Sequence, residues 1–313
     1  MHQFIKDTAL ELGFDDCGIA RAEHLAVDAE FMQLWLKEGN HGTMHYLERN
    51  FEKRTDPRVL VPGCKSVVVV ILNYYHTHAQ PAGSPKIARY AWPATDYHTV
   101  IKAKLKLLEK KITDTYGSNI VNDSAQHSFT DSAPVLERRW AQKAGLGWIG
   151  KHTQLISNKS GSYCFIGVLM LNAEMEYDTP VADRCGTCTR CIDACPTKAL
   201  NGKSLDARRC ISYQTIENKN PIAPEFRELL SGYMLGCDIC ADVCPWNKKR
   251  AIPNSTHELK PTNEISEWNA DDWRNLTSED FNRTFKKSAI TRAGYNKLKE
   301  NIHFVLKNNE LSG

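Results

Sequence analysis

The chain lacks a long hydrophobic run. Its longest apolar stretch, Val67 to Leu72, falls far short of the roughly 20 residues that cross a bilayer as a helix. No membrane partner is expected. Excess charge of one sign is also missing: 40 Lys and Arg against 37 Asp and Glu leave a net +3. That excludes a polycation that coats nucleic acid by bulk charge, so any nucleic-acid surface must be a local patch. No internal repeat and no low-complexity tract is present. The N-terminus has no charged n-region leading into an apolar stretch, and no twin-arginine pair. Thiols in a chain without an export signal point to the reducing cytoplasm.

Cysteine, by contrast, is plentiful, and eight of the eleven fall into a spaced pattern. The first run is Cys185-x2-Cys188-x2-Cys191-x3-Cys195-Pro196, the second is Cys237-x2-Cys240-x3-Cys244-Pro245, and Cys210 stands between them. A 4Fe-4S cube needs four thiolates at its corners. A loop with two-residue gaps wraps three of them, and the Cys before Pro reaches across to the neighbouring cube. This assigns Cys185, Cys188, Cys191 and Cys244 to one cluster. Cys195, Cys237 and Cys240 go to the other, with Cys210 as its fourth ligand. Zinc sites pair their ligands across a longer loop, and disulfide frameworks belong to small secreted chains. Neither suits this pattern. Cys17, Cys64 and Cys164 have no partners at ligand spacing and read as small buried apolar residues.

The length of 313 residues suggests about two domains. Residues 1–20 read as an amphipathic helix. The Ser66–Leu72 run, bounded by Pro62 and Gly63, reads as a buried strand. Ile101, Leu105, Leu108 and Ile112 recur at helical spacing, with lysines between them that make either a solvated face or a phosphate contact. Pro134 to Ala144 predicts a helix stopped by Gly145, and Tyr163 to Leu171 a second buried strand. Residues 249–313 are polar and basic, with a helix from about Gly294 to Lys307. The order of elements is α+β, with a cluster-binding segment set into it.

Gly145-x4-Gly150-Lys151 nearly spells a phosphate-binding loop, but His152 stands where Ser or Thr would bind magnesium. A true P-loop follows a strand and opens a helix. This stretch follows a helix and enters a strand. Its glycines serve a tight turn, or let backbone approach a bulky cofactor.

Four further motifs accompany the cysteines: Asp131-Ser-Ala-Pro-Val-Leu-Glu-Arg138, Gly145-Leu-Gly-Trp-Ile-Gly-Lys151, Gly161-Ser-Tyr163 and Arg209-Cys-Ile-Ser-Tyr-Gln214. With Glu52-Lys-Arg54-Thr-Asp-Pro57 and Asp96-Tyr-His98, the chain resembles the epoxyqueuosine reductase family over about residues 1–250. The resemblance implies a nitroreductase-like cobalamin-binding domain with a ferredoxin-like domain carrying two 4Fe-4S clusters. Expected bounds are 1–180 for the first, 181–250 for the second, and 251–313 for a basic C-terminal segment that contacts tRNA. The chain is expected to be a short form, without the helical-repeat domain of longer members.

The implied activity reduces epoxyqueuosine to queuosine at the wobble base of tRNA, the last step in making that base. Electrons pass from the clusters to cobalamin. The resemblance makes Asp131 the proton donor, where burial against the cofactor should raise its pKa. Read alone, Asp131 could equally cap the helix that follows. Arg54 matches a cobalamin position, with an ion pair to Glu52 or Asp56 as the plainer reading. Ala88, Tyr97, His98, Leu155, Ser212, Tyr213, Gln214 and Asp238 are the other expected cofactor contacts, with His98 weighed as a cobalt ligand. Arg138, Lys248, Lys249 and Arg292 are expected to meet tRNA. Trp140, Trp148 and Trp246 are either core residues or platforms for a flipped base. Expected partners are the tRNA anticodon stem-loop and an electron donor the sequence leaves unidentified; the chain is expected to be a monomer. A reductive dehalogenase and a ferredoxin-type electron carrier are the alternative functions.

Overall fold

The computed structural model describes residues 1–121 and 126–311. The apolar run becomes the strand Ser66–Asn73, and every residue in it is buried. Successive side chains of a strand point to opposite faces. Val68, Val70 and Leu72 therefore enter one core, with Ile5 and Ala9 of the helix His2–Glu11 and with Ile101, Leu105, Leu108 and Ile112 of the helix Tyr97–Tyr116. Val67, Val69 and Ile71 enter a second core, with Trp140 and Ala141. A strand covered on both faces reads as a continuous apolar run rather than an alternating one. On its two sides it pairs antiparallel with Asp16–Arg21 and with Cys164–Leu171, and Ser128–Phe129 extends the sheet beyond the latter.

The helix expected over residues 1–20 ends early. It stops at Glu11, Gly13 turns the chain at φ +81°, and Asp16–Arg21 is an edge strand. Gly18 in that strand has to be glycine, because an added Cβ would lie 2.1 Å from the Ala144 carbonyl oxygen. This close approach seats the helix Glu137–Lys143 on the sheet. That helix starts at Glu137 rather than Pro134, because residues 131–136 form a bent loop in front of it.

The cluster-binding segment is short helices and loops, joined to the rest by Tyr233–Leu235, which pairs in parallel with Lys86–Ile87. The C-terminal segment is more than a basic tail. Its helices Ala270–Arg274, Ser278–Phe285 and Tyr295–Leu311 wrap a core of Trp273, Phe285, Ile290, Leu298 and Ile302. Trp273 stacks on Phe285 with 5.9 Å between ring centroids. Ile87, Ala91, Trp92, Met234 and Leu235 share that core, so all three expected segments meet in it. Among the described residues, no helix is long and apolar enough to cross a membrane.

Candidate active site

The helix Tyr97–Tyr116 opens on Asp96, whose carboxylate accepts the His98 N–H at 2.9 Å as an N-cap. The Asp96 N–H donates to the Lys287 carbonyl at 2.5 Å, so the C-terminal segment holds this cap in place. Tyr97 lies flat on Phe165 of the Cys164–Leu171 strand, 4.0 Å away at 5°. His98 stacks on Tyr97 at 4.2 Å.

Asp131 arrives from the opposite side. Buried Thr130 donates its hydroxyl to the Ile166 carbonyl at 2.8 Å, pinning the loop to the same strand. Asp131 follows with φ +55°, a left-handed conformation that non-glycine residues seldom adopt. Its Oδ2 accepts from the Tyr97 hydroxyl at 3.0 Å and lies 3.2 Å from His98 Nε2. His98 Nδ1 is 2.7 Å from Asp96 Oδ1. Both ring nitrogens of His98 thus face carboxylates, which leaves neither free as a cobalt ligand. Nor does Asp131 cap the next helix. Leu136 takes the N-cap position without a side-chain bond, while Glu137 Oε1 accepts the Asp131 N–H at 2.5 Å.

These contacts set the charges. Hydrogen bonding to His98 holds the solvent-exposed Asp131 carboxyl below its ordinary range. The expected upward shift is therefore reversed here, and the proton sits elsewhere. Burial alone would lower His98, but the Asp131 and Asp96 carboxylates overcome it and raise the imidazole to about 9. Burial, then the neighbouring Asp131 charge, pushes Glu137 up to about 8. Burial and the Asp131 charge together raise the Tyr97 phenol, which keeps it a donor.

Arg54 makes no ion pair with Glu52 or Asp56. Asp56 is instead paired with Arg58 at 2.7 Å and caps the helix Pro57–Leu60. The Arg54 Nε is buried without a partner, and its charge is felt by Tyr46 and Glu137 beside Asp131. Ala88 is buried at the seam with the cluster segment, donating its N–H to the Leu235 carbonyl at 2.8 Å. Buried Asp238 accepts from the Arg89 N–H at 2.8 Å and from its guanidinium at 3.2 Å. The Tyr213 hydroxyl accepts the Thr43 N–H at 2.8 Å, and the ring presses on Gly42, where a Cβ would lie 2.4 Å from that oxygen. Gln214 donates to the Arg208 carbonyl at 2.5 Å, and Ser212 is half-buried next to Tyr213. Leu155 is buried in the core around Trp140.

All eleven cysteines are free of disulfides. Cys244 lies within electrostatic reach of Cys185 and Cys188, and Cys191 of Cys185 and Cys244. Cys237 neighbours Cys195 and Cys210, and Cys240 neighbours Cys237, Cys210 and, from the first run, Cys191. Cys17 and Cys64 are buried as expected, whereas Cys164 is half-buried.

The basic residues divide. Arg292 is exposed, forms a two-pronged ion pair with Glu217 at 2.9 Å, and feels the Asp131 charge, so it lies near the site. Arg138 is exposed and donates to the Thr153 carbonyl at 2.6 Å. Lys248 and Lys249 are exposed at the end of the helix Pro245–Arg250. Trp140 and Trp148 are fully buried core residues, which rules them out as base platforms; Trp246 is half-buried against Trp148. Reasoning from the sequence missed Glu137 and Arg89. Glu137 stands inside the Asp131 motif, six positions on, and that placement was its only signal. Arg89 carries none.

Residues 54–132 match the family described as "Epoxyqueuosine reductase QueG, DUF1730", and residues 184–247 match "4Fe-4S double cluster binding domain". An epoxyqueuosine reductase of Leadbetterella byssophila is 48% identical over 301 residues, covering 96% of this chain and 97% of that one. The crystal structure of an epoxyqueuosine reductase with an epoxyqueuosine-modified tRNA-Tyr stem loop superposes with TM-score 0.85 at 29% identity, over 97% of this chain and 80% of that one. The Bacillus subtilis enzyme, with its catalytic aspartate loop swung out of the active site, superposes with TM-score 0.83 at 28% identity, over 97% and 80%. The chain belongs to the epoxyqueuosine reductase family, with its two-cluster iron–sulfur domain.

Proposed function

We propose that this chain reduces epoxyqueuosine to queuosine in the wobble position of tRNA, using electrons from its two 4Fe-4S clusters and a cobalamin bound beside Asp131. The observation that carries this reading is the Asp96–His98–Asp131 array, together with Arg54, whose buried Nε has no partner. The buried, unpartnered Arg54 Nε fits a group bearing acceptor oxygens, as the amide and phosphate arms of a corrinoid do. Arg54, Tyr97 and His98 would hold that group, with Ala88, Leu155, Ser212, Tyr213, Gln214 and Asp238 as further contacts. Cobalamin, when bound, supplies low-potential reduction at a single metal atom.

The protein's own residues handle the protons. Converting an epoxide to an alkene takes two electrons and two protons and releases water. The developing alkoxide needs an acid close by. At neutral pH that proton rests on His98 Nε2, aimed at Asp131 Oδ2 across 3.2 Å. Asp131 takes that proton from His98 and passes it to the substrate oxygen; His98 regains a proton from solvent and the relay supplies the second, while Asp96 steadies the imidazolium. Tyr97 orients the Asp131 carboxylate through its hydroxyl.

Cys185, Cys188, Cys191 and Cys244 would ligate one 4Fe-4S cube and Cys195, Cys210, Cys237 and Cys240 the other, and the cubes would supply the electrons one at a time. Arg138, Lys248, Lys249 and Arg292 would meet tRNA phosphates. The test is anaerobic incubation of reconstituted protein with cobalamin, a reductant and epoxyqueuosine-containing tRNA, followed by mass analysis of nucleosides. Queuosine formed only when the corrinoid is added supports the reading; none under any reducing condition overturns it.

A further inference from the structure

We infer that Glu137 is the positioning residue that keeps Asp131 in its working geometry, by accepting the Asp131 backbone N–H. This rests on the reading of Asp131 as the proton donor. A non-glycine residue at φ +55° stays there only while its surroundings hold it. The Asp131 side chain is engaged by Tyr97 and His98 in moving the proton. Its backbone N–H has a different anchor, Glu137 Oε1 at 2.5 Å.

That anchor sits on a rigid element. Glu137 opens the helix Glu137–Lys143, whose Trp140 is buried in the core and whose far end lies against Gly18 of the sheet. The loop is thus tied at Thr130 to one strand and at Asp131 to this helix. Burial first, and the Asp131 charge second, push the half-buried Glu137 carboxyl up to about 8, so at neutral pH it stands beside Asp131 mostly uncharged and its oxygen is free to accept the N–H. A side chain that opens a packed helix and bonds the Asp131 backbone is suited to set a position.

The test compares Glu137→Gln, Glu137→Ala and Asp131→Asn in the cluster-loaded, cobalamin-loaded protein. A glutamine keeps an oxygen that can accept the same N–H; an alanine does not. Glu137→Gln should stay within about threefold of the wild-type single-turnover rate. Glu137→Ala should fall by about thirtyfold or more, at unchanged KM for tRNA, since small misplacements of a reacting group cost rates of this order. Hydrogen exchange in a peptide spanning residues 128–136 should speed up about tenfold in Glu137→Ala and not in Glu137→Gln, since an unbonded amide exchanges through cheaper openings.

Wild-type rate or wild-type exchange in Glu137→Ala overturns the inference, as does a Glu137→Gln as slow as Glu137→Ala. A slow Asp131→Asn beside a fast Glu137→Ala removes only the positioning role. A fully active Asp131→Asn removes the acid assignment itself, and the inference with it.

Discussion

His98 Nε2 faces Asp131 Oδ2 at 3.2 Å, while its other ring nitrogen is closed off by Asp96 at 2.7 Å. The imidazole is therefore a cation between two carboxylates, and that arrangement has a pH signature. His98 is raised to about 9 from an ordinary value near 6.5, so its contribution to stability is fully present below about pH 6.5. It declines as pH rises through about 9. Asp131 and Asp96 are lowered, so their contribution is present above the usual carboxylate range and lost on acidification. Glu137, pushed up to about 8, also costs stability as pH rises, so the comparison must be with a variant. Denaturant melts should show wild type more stable than His98→Gln at pH 7, with the gap closing by about pH 10. A gap that stays constant with pH would contradict the ion array.

The cysteine sets make a stoichiometric prediction. Cys188→Ala and Cys210→Ala each strike a different set, so each should leave about four irons where wild type carries about eight. Iron analysis after anaerobic reconstitution reads this directly. A variant that kept the full complement would break the assignment of that cysteine.

Arg89 ties the catalytic half to the cluster segment by pairing with Asp238 at 3.2 Å and Asp242 at 2.7 Å. Asp238 is buried, which raises its carboxyl to about 6 even beside Arg89. Arg89→Ala leaves that charge without its partner and should cost about 3 kcal/mol. Adding Asp238→Asn should restore part of the loss, as an amide needs no counter-charge. Equal stability of the single and double variants would show that the pair is not coupled.

Much of this was legible in the chain, for identifiable reasons. Thiolate spacing is a local constraint, so the double 4Fe-4S cluster domain could be read without a fold. The central strand was visible because burial on both faces leaves an unbroken apolar run from Val67 to Leu72. The Asp16–Arg21 strand was hidden because acids on one face mimic an amphipathic helix, and only the close contact of Gly18 with Ala144 reveals its place. The C-terminal core was hidden because Trp273, Phe285 and Ile290 are spread among charged residues on short helices. The charge on Asp131 was hidden because it depends on His98, 33 positions away in the chain. Local sequence carries no record of such a pair.

Lys248 and Lys249 are exposed and clustered at one helix end, which suits phosphate contact. tRNA affinity should fall linearly on a log–log plot against salt. Replacing both lysines with alanine should make that slope shallower by about 0.7–0.9 per lost contact. An unchanged slope would place the tRNA elsewhere on the surface.

Proton delivery by Asp131 is the central step, and single-turnover analysis of Asp131→Asn reads it most directly. Loaded with both clusters and cobalamin and given epoxyqueuosine-containing tRNA under reductant, the variant should bind tRNA normally. It should form queuosine at least about a hundredfold more slowly than wild type, the usual scale for a lost general acid. Queuosine appearing at the wild-type rate would show that the proton comes from another group.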